Sequence, residues 1–450
     1  MSQKGFIFDI NKCTGCSACQ LACTIENQVT PQVVWRRIAT FNPARVPGLP
    51  VFHHSHACYH CVDAPCMTSC PSSAISKHPG TGAVTIDDSK CIGCRYCSWA
   101  CPFDAPQYNP AAGLMEKCTF CEERLESGLE PACVALCPTG ALGFGEYKSG
   151  TGKRPVPGFP SNGVEPAIEF VPLDERRGAP ETATESGGGS GLEIRSPFGD
   201  VTETPSKISL RSEWTLVVFS LAAAALVGVF SGGGVGTPLI GPVAFGAAGL
   251  VTMMVSTLHL GRRGRALRAC LNVGRSWLSR EIVLFPAFLV LGAWTLAMGF
   301  PPWPAVLTGF AALFSVDRVY RVTGTQGLGW HSAGAVGTGF LFAAMACGGE
   351  AIWVAFAILA LKGLSYAKRK LSKGEARRFV SAVRLTVGCA LPMALVWMGE
   401  GLIGAVAVMC VVVGEAIDRC EFYKELRFQT PESEMRLELA RRLSQSKKAG

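Results

Sequence analysis

The chain has 450 residues, 21 cysteines and a formal net charge of +8, and its average composition conceals two unlike halves. Sixteen cysteines lie between Cys13 and Cys137, whereas Trp214 to Ile417 is dominated by Ala, Val, Leu, Gly and Phe, a split that excludes one ordinary domain. Much of the Lys and Arg falls in short loops between apolar runs, which is a topological pattern and not that of a nucleic-acid binder. The first residues, Met1 to Ile10, hold no apolar stretch long enough for a secretory signal and no twin-arginine pattern, so no export of the N-terminus is expected. A disulfide framework is then not expected either, and metal ligation is the default reading of so many cysteines.

The cysteines form four groups in chain order. The first reads Cys13-x2-Cys16-x2-Cys19-x3-Cys23 and the third repeats it as Cys91-x2-Cys94-x2-Cys97-x3-Cys101-Pro102. This is the bacterial ferredoxin run, in which three thiolates of one tight loop grip a cubane and the fourth reaches a second cluster. The second group, Cys58-x2-Cys61-x4-Cys66-x3-Cys70-Pro71, and the fourth, Cys118-x2-Cys121-x11-Cys133-x3-Cys137-Pro138, keep the same ending with an inserted loop. Zinc ribbons would use paired knuckles and have no need of the repeated Cys-x3-Cys-Pro ending. Sixteen thiolates match four 4Fe-4S clusters with none left over. Short β-prone pieces such as Ala83 to Asp88 lie between the groups, so the predicted fold of residues 1–148 is α+β, two ferredoxin-like 2x4Fe-4S modules that draw much of their folding energy from the clusters. His53, His54, His56 and His60 crowd the second group without the spacing of a closed metal site, and a solvated or docking loop is expected there.

The segments Cys91-Ile-Gly-Cys-Arg-Tyr-Cys, Ala100-Cys-Pro, Ala105-Pro-Gln-Tyr, Glu116-Lys-Cys-Thr-Phe-Cys, Pro131-Ala-Cys-Val and Cys137-Pro-Thr-Gly-Ala-Leu together resemble the four-cluster electron-transfer subunit of dimethyl sulfoxide reductase-type molybdoenzymes. Spacing alone leaves the pairing of the groups open. The resemblance implies one cluster on Cys13, Cys16, Cys19 and Cys137, and its neighbour on Cys118, Cys121, Cys133 and Cys23. It implies an inner pair on Cys58, Cys61, Cys66 with Cys101, and on Cys91, Cys94, Cys97 with Cys70.

Residues 149–211 are rich in Gly, Pro, Ser and Thr and read as a flexible linker, apart from a strand expected at Ile168-Glu-Phe-Val that packs back on the cluster domain. Apolar runs then recur at about Trp214 to Phe230, Pro238 to Leu258, Ile282 to Phe300, Ala305 to Val316, Ala333 to Cys347, Ala351 to Leu361, Val380 to Met398 and Leu402 to Ile417. Residues 212–418 are thus expected to be an all-α polytopic membrane bundle of about eight helices, with 419–450 a polar C-terminal tail. Several runs fall short of the roughly 20 residues of a straight crossing and must borrow flanking residues. Basic residues gather between the second and third runs (Arg262, Arg263, Arg265, Arg268, Arg275, Arg280), after the fourth (Arg318, Arg321) and between the sixth and seventh (Lys362, Lys368, Arg369, Lys370, Lys373, Arg377, Arg378). The positive-inside rule then places the cluster domain and the tail on the cytoplasmic side of a multi-pass inner-membrane protein; docking of an acidic partner face is the competing account of these loops.

Ser256-Thr-Leu-His-Leu-Gly through Arg275-Ser-Trp-Leu-Ser-Arg-Glu-Ile, with Arg211-Ser-Glu-Trp and Val319-Tyr-Arg-Val-Thr-Gly, resembles the quinol-oxidising anchor subunit of the same reductases, which usually keep the two parts as separate polypeptides. His259 and Glu281, at the end of the second run and the start of the third, are the candidate catalytic residues, since quinol oxidation releases two protons that an imidazole or carboxylate can take. The only histidines of this half, His259 and His331, lie near one level, which argues against a haem b anchor. The expected function is an electron-transfer and anchor subunit that oxidises membrane quinol, menaquinol included, and relays electrons through four 4Fe-4S clusters to a separate molybdopterin (Mo or W) catalytic subunit in anaerobic respiration. The chain shows no pterin domain of its own. Reverse flow from a partner dehydrogenase to quinone, and a non-catalytic anchor or redox sensor, are the alternatives.

Overall fold

The computed structural model describes residues 3–150, 156–160, 163–174, 207–233, 241–322, 331–373, 378–398, 402–426 and 428–449. Two compact units emerge. Met1–Lys207 and Arg427–Gly450 belong to the first, the cluster unit, and Ile208–Val322 with Gln326–Leu426 to the second, the helical unit.

The cluster unit begins with β1 (Lys4–Asp9), α1 (Ala18–Glu26) and the antiparallel hairpin β2 (Arg37–Phe41) and β3 (Phe52–His56). After α2 (Pro65–Ser69) come the hairpin β4 (Ile75–Lys77) and β5 (Val84–Ile86), α3 (Tyr96–Ala100), and the hairpin β6 (Gln107–Asn109) and β7 (Leu114–Glu116). α4 (Glu122–Glu126), α5 (Ala132–Ala135), β8 (Leu142–Glu146) and β9 (Ile168–Val171) complete this part. β1 is the centre of a three-stranded sheet: β8 pairs antiparallel with it, Phe6 opposite Phe144, and β9 runs parallel, Phe8 opposite Phe170. β9 is the strand read from Ile168-Glu-Phe-Val. Alternation along β1 turns Phe6 and Phe8 inward, where Phe6 meets Phe120 edge-on with ring centroids 5.1 Å apart. Aromatic packing, cysteines and small aliphatic residues such as Ile75, Val84 and Leu142 make up the core of these short elements.

The histidine segment differs from the expected solvated loop. His54 and His56 lie on β3 and are buried, as is His60, and the His54 ring stacks within 6.5 Å of Phe8 and Phe159. A polar residue type was read as exposed, but the hairpin folds its inner face onto aromatic rings. Burial lowers the His54 pKa to about 4 and those of His56 and His60 well below the ordinary histidine value, so all three are neutral.

The helical unit consists of α6 (Leu210–Gly232), α7 (Pro242–Thr257), α8 (Trp277–Met298), α9 (Trp303–Val319), α10 (Ala335–Cys347), α11 (Ala351–Lys373), α12 (Arg378–Leu385), α13 (Leu391–Met398) and α14 (Leu402–Glu425), with a π-helical turn at Thr386–Ala390 joining α12 to α13. Four helical stretches, Leu210–Gly232, Trp277–Met298, Ala351–Leu371 and Phe379–Val396, are long and apolar enough to cross a membrane. The last helix of the chain, α15 (Pro431–Ala449), belongs to the cluster unit, where Met435 and Leu439 join the core beside β2.

One reading of the helical half is corrected. The basic cluster placed in a loop after Leu361 is largely helical: Lys362, Arg369 and Lys370 lie within α11, and α14 runs beyond Ile417 to Glu425. Lys362 pairs with Glu415 at 2.9 Å, Arg369 with Asp418 at 3.0 Å and with Glu425 at 3.0 Å, and Lys370 with Glu421 at 2.9 Å and Glu425 at 2.7 Å. Arg384 of α12 reaches Glu415 at 3.0 Å and Asp418 at 3.4 Å. Close backbone approach makes this possible, since a Cβ on Gly388 would stand 2.6 Å from the Cα of Gly414. Charges that neutralise each other inside the bundle carry little topological information, so the positive-inside argument falls back on Arg262 to Arg280 and the residues after α9.

Candidate functional site

The cluster-binding loops share one backbone device. The residue before the second cysteine of every group has positive φ: Gly15 (72°), His60 (44°), Gly93 (69°) and Phe120 (64°). Turning three thiols of a short loop toward one point requires this reversal, which glycine adopts without steric cost and His60 and Phe120 do not. Those two rings lie against each other, centroids 3.6 Å apart, which holds both strained loops. The first and third groups also share a left-handed residue after the second cysteine, Ser17 and Arg95, each the N-cap of the short helix that carries the next thiol.

The loops bring thiols of different groups together. One pocket is lined by Cys13, Cys16, Cys19 and Cys137, and another by Cys58, Cys61, Cys66 and Cys101. Cys23 has Cys133, Cys121 and Cys19 as thiol neighbours, and Cys118 has Cys23, Cys58 and Cys133. Cys97 has Cys94, Cys70, Cys66 and Cys91. Among the described residues no three His, Cys, Asp or Glu side chains are placed to hold a single metal ion. A tetrahedral zinc site, with Zn–S bonds near 2.3 Å, would need sulfurs roughly 3.8 Å apart. Thiols spread around a cavity fit a cubane instead, and sixteen fit four of them.

Electrostatics agree with that donor set. Burial pushes the Cys23 thiol up to about 12, against the pull of Arg36 beside it, and raises Cys61, Cys97 and Cys118 well above the usual thiol range. A metal-free unit therefore holds most of these groups as neutral thiols, and loading iron releases protons. Cys137 differs: burial raises its pKa too, but hydrogen bonds from Leu142, Thr139 and Ala141 outweigh that and bring it below the ordinary value. His60 adds a donor of fixed tautomer. The Val84 N–H donates to its Nδ1 at 2.8 Å, so the neutral ring carries its proton on Nε2, which has no protein partner, and the ring lines the cavity of Cys58.

In the helical unit His259 follows α7 half-buried, its Nδ1 hydrogen-bonded with the Ser256 carbonyl. Glu281 is buried in the first turns of α8, and its charged neighbours are Arg419 of α14 and Asp317 of α9. Arg419 was not anticipated. Its Nε donates to Ser220 at 2.8 Å, and one turn away the Tyr423 hydroxyl hydrogen-bonds that of Tyr320. The periodicity of Glu415, Asp418, Arg419 and Tyr423 along one face of α14 was the available signal.

Fold and site together define a ferredoxin-type electron-transfer domain with an all-helical region behind it. The family of the 4Fe-4S dicluster domain matches residues 50–147. One polypeptide of the anaerobic dimethyl sulfoxide reductase of Escherichia coli (strain K12) is 42% identical over 152 residues, 32% of this chain and 74% of the relative. A polypeptide of the polysulfide reductase of Wolinella succinogenes is 39% identical over 145 residues, covering 32% and 75%, and one of the sulfite dehydrogenase of Allochromatium vinosum is 32% identical over 206 residues, covering 39% and 86%. The chain belongs to the family of the iron–sulfur electron-transfer subunits of dimethyl sulfoxide reductase-type complexes.

Proposed function

We propose that the chain oxidises membrane quinol in its helical unit and relays the electrons through four 4Fe-4S clusters to a separate molybdopterin (Mo or W) subunit, its own fused anchor replacing a separate one. The observation that carries the reading is the succession of thiol quartets. Cys19 is a neighbour of Cys23 and Cys133, Cys58 of Cys118, and Cys66 of Cys97, which supports taking the quartets Cys13/Cys16/Cys19/Cys137, Cys118/Cys121/Cys133/Cys23, Cys58/Cys61/Cys66/Cys101 and Cys91/Cys94/Cys97/Cys70 as one series. Bound there, the clusters supply one-electron carriers. Cys16 is exposed, and Leu21, Ile25 and Leu136 on and beside α1 and α5 expose apolar surface near the first quartet, which suits it as the face presented to the catalytic partner.

Quinol gives up two electrons and two protons. Glu281, with Arg419 beside it, and His259 are the groups proposed to receive the protons. We take the crossings to be eight, α6 to α11, α12 with α13 as one, and α14, an even number that suits a chain whose two flanks both belong to the cluster unit. The basic residues Arg262 to Arg280 support a cytoplasmic cluster unit in the inner membrane.

The test is low-temperature electron paramagnetic resonance on membranes titrated with a menaquinol analogue, comparing wild type with His259→Ala and Glu281→Gln. The expected result is four interacting 4Fe-4S signals that quinol reduces in wild type and at least tenfold more slowly in the variants. Clusters that assemble yet ignore quinol would overturn the reading. The likeness to a polypeptide of a sulfite dehydrogenase favours one second reading, with electrons running from partner to quinone; clusters that quinone oxidises readily but quinol does not reduce would select it.

A further inference from the structure

Arg36 and Lys117 are 2% and 3% exposed, and no carboxylate among the described residues pairs with either. Arg36, just before β2, is held on one side only. Its Nη1 donates to Ser55 Oγ at 2.8 Å and its guanidinium lies 4.6 Å from the centroid of the Phe6 ring, while Nε and Nη2 have no partner among the described residues. The groups around it are the thiols of Cys133, Cys118, Cys19 and Cys23, which come from two quartets. Lys117, between β7 and the fourth cysteine group, donates to the carbonyls of Val84 and Cys118, and the thiols around it are Cys58, Cys66 and Cys118, again from two quartets. A buried cation with unmet donors is expensive unless an anion meets it, and clusters bearing four thiolates each are the anions this interior is built for.

We infer that Arg36 and Lys117 are shared cations of the electron relay, each set between two consecutive clusters, donating N–H to their sulfur and raising the reduction potential of both. The inference rests on the four-cluster reading above. It assigns each residue a pair: Arg36 the clusters of Cys19 and of Cys118, Lys117 the clusters of Cys118 and of Cys58. The cluster of Cys118 is common to both and is therefore raised most, whereas that of Cys94 is touched by neither. The two cations thus shape the potential profile along the series without binding substrate, as positioning and tuning residues.

The experiment is a potentiometric titration of the full chain in membranes, read by electron paramagnetic resonance with iron quantified in the same samples, for wild type, Arg36→Gln, Arg36→Lys and Lys117→Met. Removing a unit charge beside a cluster is expected to lower its reduced-to-oxidised ratio at fixed potential about tenfold, 59 mV for a one-electron couple. Two midpoints move in Arg36→Gln and recover in part in Arg36→Lys; two move in Lys117→Met; one is common to both. Four clusters with unmoved midpoints overturn the inference and leave the relay standing, whereas an iron content short of four clusters in wild type overturns the reading beneath it. If the variants fail to assemble clusters, wild-type protein labelled with 15N-arginine decides by pulsed resonance. Nitrogen coupling to a reduced cluster supports the shared guanidinium, and its absence sinks it.

Discussion

The two units bury charge in opposite ways. In the cluster unit Arg36 and Lys117 face thiols and have no carboxylate partner among the described residues. In the helical unit Lys362, Arg369, Lys370 and Arg384 meet Glu415, Asp418, Glu421 and Glu425, four cations against four carboxylates, all four carboxylates from α14. The first sets its cations against thiols; the second pairs every cation with a carboxylate. Polar oxygens seal it further, since Thr338 bridges Lys362 and Glu415, and Tyr366 donates to Glu421 at 2.5 Å. Buried charge by itself therefore does not mark a redox site. A network of carboxylate-paired cations serves to fix helix register inside an apolar bundle.

The contrast breaks most readily at Glu415. Glu415→Gln leaves Lys362 without its carboxylate and Arg384 with only Asp418, at an expected cost of about 3–5 kcal/mol. Adding Lys362→Met should return much of that loss. Thermal melting of the purified chain through this double-mutant cycle checks the closure, and strictly additive costs would refute it.

Acid sharpens the comparison from the other side. His54 is neutral in the folded cluster unit, with its pKa lowered to about 4 by burial, whereas in the unfolded chain it titrates near 6.5. Between those values the unfolded state binds a proton that the folded state refuses. Stability is thus lost as pH falls from about 6.5 to 4, by about 3 kcal/mol from this residue alone. Denaturant unfolding of wild type and His54→Gln at pH 7 and pH 5 measures it, and equal pH slopes in the two proteins would dismiss the claim.

The smallest expected effect concerns the seam of the cluster core. Met435 is 4% exposed, and a Cβ on Gly158 would stand 2.5 Å from its Cγ. Met435→Ala should cost about 2 kcal/mol and speed hydrogen exchange in α15, with the amides of α14 unchanged. Uniform exchange along both helices would show that α15 is not held by this core.

What the sequence disclosed followed from locality. Cysteine spacing is set by the reach of a short loop around a cubane, so the groups were readable, whereas the gathering of Cys101 with Cys58 or of Cys137 with Cys13 depends on distant segments meeting. Apolar runs disclosed where helices lie but not where they end. Hydropathy counts Lys362 or Glu415 singly, and the bundle buries them as pairs. The histidines of β3 failed for a related reason: their burial comes from Phe159 and Phe170, about a hundred residues away. The face carrying Met435 and Leu439, four residues apart, held a helical signal within what reads as a polar tail.

That last helix has a consequence for how the protein is made. A ribosome completes β1, β8 and all four cysteine groups long before residues 431–449 emerge, and every helix of the other unit is synthesised in between. The wall that Met435 and Leu439 contribute to the cluster core closes last. A nascent chain thus carries its thiols in a half-finished vessel throughout membrane insertion, and a message truncated anywhere within the bundle leaves that vessel open.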